Sequence, residues 1–395
     1  MYPSPSRPLK SRGHKIEYSL LLILYLLKFR ILQKVKFNLT AKIDLLSVFK
    51  NKTFLGVDIG TSSIKVVQLT RERGKYKLDT YGEVHLYEKG AQGKLEETSL
   101  KMLDNQVATL LKKIITEAGV KTKKTAMSVP VFSSFSTIIE MPDLPRGELD
   151  KAIEFQARQY IPVPMDQISL NSIVISREKK NKDSSGKLEV LLVAVPNEVK
   201  NKYNNIAKLS ELELVALEME TFPMARAIAG DPKGSYLIID IGAKSTNYCV
   251  VDGGFVRLSH NFDVSGVDMT RAFADYSGGD YAKGESIKKS TGLKMTPGQM
   301  ETAPLLMSSV SSIVSEAERI MNVYFNKTTT RIQEVILSGG SANMLGLAEY
   351  LSEKLSMNVS VADPFKKITH PPELEKILKE LGPSFSIAVG LAMRK

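Results

Sequence analysis

Cysteine is nearly absent, with one residue, Cys249, among 395. That excludes an internal disulfide and a cysteine-only metal cage. Its place in an apolar strand pattern predicts a buried core thiol, as suits a chain kept in a reducing compartment. Histidine is almost as scarce: His14, His85, His260 and His370 show no metal-ligand spacing, so no histidine metal site is expected. No Gly-x-x-x-x-Gly-Lys-Ser/Thr run occurs, which sets the P-loop families aside. A membrane-spanning run is missing too. The apolar stretch Tyr18–Leu27 has ten uncharged residues, where a spanning helix needs ~20. No small-x-small cleavage site follows it.

The charge is lopsided. Of the formal +11, residues 1–52 carry +9, from eleven Lys or Arg against Glu17 and Asp44, which leaves +2 for residues 53–395. The body therefore has no basic stripe with interleaved aromatics, and nucleic acid is not an expected partner. Residues 1–50 stand apart as a basic, partly apolar extension. Three readings stay open for residues 1–40: an interfacial anchor, an upstream partner segment, or sequence that is not natively translated. The rest has an ordinary globular composition, at 43% hydrophobic and 25% charged for the whole chain. It is long enough for two domains or one bilobed unit.

From Thr53 the pattern turns regular. Thr53–Ile59 reads as an apolar strand, Gly60–Ser63 as a turn, and Ile64–Thr70 and Lys75–Tyr87 as further strands of an antiparallel meander. Leu95–Ala118 has helical spacing and stops at Gly119. With the strand Thr125–Pro130 this makes a first lobe over residues 51–130. An inserted α+β unit is expected over 131–216. Its strands are Phe135–Glu140, Ile168–Ser176 and Leu188–Val195, its helices Gly147–Tyr160 and Glu198–Leu209, and Arg177–Lys187 is an exposed loop. On the first of these helices Leu149, Ala152, Ile153, Gln156, Ala157 and Tyr160 form the core stripe, and Phe155 lies off it.

Residues 217–238 are expected to return to the first lobe, and 239–375 to form a second. The opening theme repeats there: strand Ser235–Ile241, turn Gly242–Thr246, strands Tyr248–Asp252 and Phe255–Ser259, a long helix Thr302–Phe325, and strand Glu334–Leu337. Residues 376–395 come back to the first lobe as a helix. Two copies of strand–Asp–Ile–Gly–turn–strand, about 180 residues apart, are an internal duplication. The predicted fold class is α/β, two duplicated lobes facing each other across a cleft, with an inserted α+β subdomain.

Three motifs carry chemistry. In the first, Asp58-Ile59-Gly60-Thr61-Ser62-Ser63-Ile64-Lys65, Gly60 lets backbone approach phosphate oxygens, and Thr61, Ser62 and Ser63 donate to them. Lys65 can bring its ammonium back over a phosphate. Like charge keeps Asp58 off a phosphate, so its expected partner is hydrated Mg²⁺. The same grammar recurs in Asp240-Ile241-Gly242-Ala243-Lys244-Ser245-Thr246-Asn247, with Asp240 as the second water-mediated metal contact. Two such turns facing each other grip a triphosphate and a metal as one cannot. The third motif is Ser338-Gly339-Gly340-Ser341-Ala342-Asn343, a strand end whose glycines lie flat beside a planar base, with a helix opening at Asn343 or Leu345. Glu316 with Arg319, and Glu285 with Lys288, share helix faces at i, i+3. Each pair suits ribose hydroxyls or is a surface ion pair. The expected ligand is ATP with Mg²⁺.

Together the motifs resemble the actin, Hsp70 and sugar-kinase superfamily over residues 53–395. The insert is similar to that of the PilM family of type IV pilus assembly, through Glu140-Met141-Pro142-Asp143-Leu144, Gln156-Ala157, Tyr160-Ile161-Pro162 and Val190–Ala194. Ala243-Lys244 departs from the glycines common in relatives' second turn. The resemblance implies a cytoplasmic ATP-binding scaffold, at most a slow ATPase, at the inner face of the inner membrane. It would hold the N-terminal tail of a PilN-like inner-membrane protein and join the pilus alignment complex. It also implies a polar or acidic residue near Glu220 to orient a water, and Phe155 is the candidate groove wall for the tail. Two other classes are weighed. A filament former of the FtsA type would carry a membrane-seeking helix after the last domain, and none is expected after Ser386–Gly390. A sugar-kinase-type phosphotransferase would need a carboxylate base over a polar pocket in the insert.

Overall fold

Strand-forming residues on both sides of a two-residue turn open the fold. The computed structural model describes residues 52–86, 102–177, 186–293 and 303–394. The extension, the expected helix start at 95–101 and the loop tip 178–185 lie outside them. β1 (Lys52–Ile59), β2 (Ser63–Glu72) and β3 (Lys75–His85) form an antiparallel meander. Arg73 and Gly74, with φ of 48° and 87°, make the β2–β3 turn in the left-handed region that a twisted hairpin demands. α1 (Asp104–Glu117) covers this sheet with Val107, Leu111 and Ile114, and β4 (Lys124–Val129) joins β1 in parallel.

The insert is a three-stranded antiparallel sheet built from β5 (Phe135–Pro142), β6 (Ile168–Arg177) and β7 (Lys187–Pro196), with β7 central. α2 (Arg146–Ala157) packs Leu149, Ile153 and Ala157 onto Ile139, Met141, Leu188, Val190 and Leu192. Tyr160, expected on the core stripe, is exposed because α2 ends at Ala157 and the chain turns away. Phe155, off the stripe, is 66% exposed.

α3 (Asn197–Leu209) then buries Tyr203, Ile206 and Ala207 in the first-sheet core, and β8 (Glu213–Met219) pairs in parallel with β4. The three-stranded unit thus closes at Pro196, earlier than the expected 216, because the apolar face of α3 meets the first sheet's core. α4 (Thr221–Ile228) follows.

The second sheet starts with β9 (Ser235–Ile241), the strand expected there, so the lobe bound expected at 239 falls inside a strand; β10 (Thr246–Asp252) and β11 (Phe255–Phe262) follow. Next come α5 (Gly266–Tyr276), α6 (Tyr281–Thr291), α7 (Ala303–Thr328), β12 (Glu334–Ser338), α8 (Leu347–Leu355) and β13 (Val359–Val361), giving the order β11-β10-β9-β12-β13. α8 begins at Leu347 instead of Asn343 or Leu345, since Gly346 has φ 80° and cannot join a right-handed helix. β14 (Ile368–Thr369) completes the first sheet as β14-β3-β2-β1-β4-β8, and α9 (Glu375–Ala392) ends the described chain.

α4 and α9 lie between the two sheets. Met224, Ile387 and Leu391 pack on Ile238, Cys249 and Ile336 of the second sheet, while Phe385, Ala388 and Val389 pack on Val67, Leu69 and Leu78 of the first. α9 crosses β1 so closely that a Cβ on Gly56 would strike the Ala388 carbonyl. Strand alternation then fixes the site. Leu55, Val57 and Ile59 face the outer helices of one lobe, and Leu237, Ile239 and Ile241 those of the other. Asp58 and Asp240 consequently point into the layer between the sheets.

Candidate functional site

A cleft of about 910 Å³ opens where that inter-sheet layer ends. Asp58 and Asp240 lie at its floor, each at the last turn of a central strand. Asp58 accepts a hydrogen bond from Ser128 on β4 at 2.7 Å. Directly across the β1–β2 ladder stands Lys65, whose ammonium donates to Ser63 at 2.6 Å and pairs with Glu83 of β3 at 3.2 Å. Glu220, the residue before α4, enters the same space and accepts from the Val131 amide at 3.4 Å.

Electrostatics here favour a cation. Burial first, and then the charges of Asp58 and Asp240, push the Glu220 carboxyl well above the carboxylate range. Burial and Asp58 raise Asp240 to about 6, against the lowering effect of neighbouring Ser338, Lys65 and Asn247. Asp58 is raised by burial, which outweighs Lys65. Burial also opposes the charge of Glu83, but Lys65 and His85 win and hold it low. Three carboxylates that suppress one another's ionisation form a hard-oxygen environment short of positive charge. No group of three or more His, Cys, Asp or Glu among the described residues could ligate a metal directly. The oxygen donors of Asp58, Asp240 and Glu220 are of the kind that suits a hydrated divalent ion.

The two turns line facing walls, Gly60, Thr61, Ser62 and Ser63 on one side and Gly242, Ala243, Lys244 and Ser245 on the other. In the second turn the Gly242 amide donates to Ser245 at 3.0 Å. The Gly242 and Ala243 carbonyls accept from Gly266 and Val267, the first amides of α5, at 2.9 and 3.2 Å. Every described peptide is trans, so the Ala243 and Lys244 amides point opposite to those carbonyls, away from the α5 amides that hold them. Amides presented this way suit phosphate oxygens.

The third motif sits beside this turn, its Ser341 amide donating to Ile241 at 3.4 Å. Gly339 has φ 90° and lies against Ile241, and Gly340 has open space where a Cβ would be. α9 braces the loop: the Pro383 carbonyl accepts from the Gly339 amide and the Ser338 hydroxyl at 3.0 Å each, and the Glu380 carbonyl accepts from Asn343 at 2.7 Å. Glu285 and Lys288 face the cleft from α6 as a 2.7 Å ion pair. Lys288 also donates to Thr270 and to the Gly266 carbonyl at 2.8 and 3.1 Å.

Three candidates fall elsewhere. Thr246 is fully buried and spends its hydroxyl on the Val264 carbonyl at 2.6 Å, because strand alternation turns it into the sheet. Glu316 and Arg319 line no part of the cleft. Glu316 accepts from Arg319 at 2.6 and 2.9 Å and pairs with His260 at 2.7 Å, an ion-paired cluster on α7 and β11. Among the lining residues, Glu83 and Lys289 were missed from the sequence, and Asn247 closed the second motif without a role of its own. Asn247 was visible as the residue facing Asp240 in a hairpin. Lys289 carried no signal beyond helical adjacency to Lys288.

A family model described as type IV pilus assembly protein PilM matches residues 56–395. Among solved structures, a PilM-PilN type IV pilus biogenesis complex is similar at a TM-score of 0.71 and 22% identity, covering 86% of this chain and 97% of that one. The ethanolamine utilization protein EutJ from Carboxydothermus hydrogenoformans is similar at 0.52 and 15% identity, covering 87% and 89%. At these identities the structures establish the fold, which is the two-lobed architecture of the actin-like ATPases.

Proposed function

The chain belongs to the PilM family of type IV pilus assembly proteins, and on that premise we propose that it is an ATP-binding scaffold holding the N-terminal cytoplasmic tail of a PilN-like inner-membrane protein. The observation that carries the nucleotide half is the pair of Asp-Ile-Gly turns, one from each sheet, opening into a single cleft. In this reading the turn amides and Lys65 take the phosphates, and Asp58 and Asp240 hold Mg²⁺ through its waters. Glu285 and Lys288 meet the ribose, and the base lies along Gly339–Asn343. Bound Mg²⁺ supplies the positive charge that the three carboxylates lack. Glu220 is the residue to orient a water, so hydrolysis, where it occurs, is slow. A scaffold needs the nucleotide mainly to hold two lobes together.

The partner half rests on the family and on the PilN present in the similar complex. No helix among the described residues is long and apolar enough to cross a membrane. In this reading, attachment to the cytoplasmic face of the inner membrane runs through the partner and the alignment complex. Phe155 offers an exposed aromatic wall for an apolar tail. Calorimetry tests both halves. The chain is expected to bind Mg·ATP one to one, and Lys65→Ala to weaken it by ~1.5–3 kcal/mol, about tenfold or more. A synthetic PilN-like N-terminal peptide is expected to bind independently. Unchanged ATP affinity in Lys65→Ala would sink the site assignment; a peptide that does not bind removes the partner reading.

A further inference from the structure

Acidic side chains outnumber lysines along the cleft. Six carboxylates line it (Asp58, Glu83, Glu220, Asp240, Glu285 and Glu380) against five lysines. Four of those lysines are already committed. Lys65 pairs with Glu83, Lys288 and Lys289 with Glu285, and Lys379 with Glu375. Lys244 is different: among the described residues it makes no ion pair or hydrogen bond, and its side chain is exposed at the tip of the second turn. A polyphosphate entering this cleft meets one lysine whose charge nothing else has claimed.

Position along the cleft says which phosphate that is. The nucleoside loop touches the second turn at its root, where the Ser341 amide reaches the Ile241 carbonyl. From that root the turn runs through Gly242 and Ala243 to its tip. Its Gly242 and Ala243 carbonyls are held by the first amides of α5. Lys244 lies at the tip of the turn, beyond that root, on a flexible four-carbon stem. An ammonium used as a point charge on phosphate is an ordinary way to add affinity. Being exposed, it gives up little hydration until a phosphate arrives.

We infer that Lys244 sets the preference for phosphate-chain length: its ammonium takes the terminal phosphate of a nucleoside triphosphate and leaves a diphosphate uncontacted. This rests on the nucleotide reading above. It makes the second turn the element that senses whether the terminal phosphate is present, and Lys244 the residue through which a triphosphate closes the lobes more tightly than a diphosphate.

Calorimetry of the full chain with Mg·ATP and Mg·ADP, on wild type, Lys244→Gln and Lys244→Arg, tests it. Wild type is expected to favour ATP, Lys244→Gln to lose about tenfold on ATP with ADP changed less than about twofold, and Lys244→Arg to keep most of the preference. All three proteins should melt at the same temperature, since the side chain is exposed. Equal losses on both nucleotides overturn the inference by making Lys244 a general field charge, and so does no loss on either. Wild type binding neither nucleotide brings down the nucleotide reading itself, a result distinct from binding both with an unchanged ratio in the variant.

Discussion

Asp240 is held at about 6, above its ordinary 3.8, by burial and by Asp58. A carboxyl whose pKa is higher folded than unfolded favours folding while protonated. That contribution is fully present below about pH 4 and is lost as pH rises through about 6. At pH 7 the ligand-free protein therefore carries a cost at this position, at most about 3 kcal/mol for a shift of this size. Asp240→Asn should remove it. The variant is expected to be more stable than wild type at pH 7 in urea melts without nucleotide, and the gap to close by pH 4. A variant less stable than wild type at pH 7 contradicts the electrostatic picture. Asp58 and Asp240 were legible because a strand ending in Asp-Ile-Gly is local grammar, repeated. Glu83 was not. Counting back from the Arg73-Gly74 turn puts Gly82 opposite Lys65, but a β-bulge at Gln68/Leu69 leaves Asp79 unpaired and slides Glu83 into register. One inserted residue in a strand, silent in the sequence, decides which side chain neutralises the phosphate lysine.

At the scale of elements, the close crossing of α9 over β1 positions the cleft floor. A Cβ at Gly56 meets backbone of Ala388 and Ala392, which cannot swing away as a side chain can. Gly56→Ala is expected to cost roughly 1–3 kcal/mol. Gly147→Ala, in the first turn of α2 with nothing within 4 Å, should be neutral or stabilising by up to roughly 1 kcal/mol. Equal melting shifts for the two would mean the crossing has slack. Two elements that escaped the sequence reading did so for different reasons. The buried face of α6 is Gly284, Lys288 and Thr291, so no apolar periodicity marks it. β8 reads Glu-Leu-Val-Ala-Leu-Glu-Met, largely helix-forming residues, and is a strand because β4 offers it an open edge. Motif-bearing strands were legible since their burial on both faces makes near-continuous apolar runs.

At the scale of the whole molecule, a ligand gripped from both sheets should stabilise both lobes together. Mg·ATP at a hundredfold excess over its dissociation constant is expected to add about 2.7 kcal/mol, read as one cooperative shift in thermal melting. Removing residues 1–40 should leave that shift and the unliganded melting point unchanged, because the first core residue of β1 is Leu55. A truncated chain that melts much earlier would make the extension part of the fold.

The partner tail is argued at the same scale, because its candidate surface and the cleft use different elements. Phe155 lies on α2 of the insert, 66% exposed as a residue and off the face that packs on β5 and β7. None of the lining of the cleft comes from α2. An exposed ring contributes little to the fold, so Phe155→Ala should melt with wild type. An aromatic anchor for an apolar peptide carries a large share of the binding energy, and its loss should weaken tail binding by ~2 kcal/mol. Mg·ATP affinity should stay as it was. The two measurements together discriminate. If peptide and nucleotide binding both fall, α2 is coupled to the cleft. If neither falls, the tail docks elsewhere, on the β6 edge or where α3 joins the insert to the first sheet.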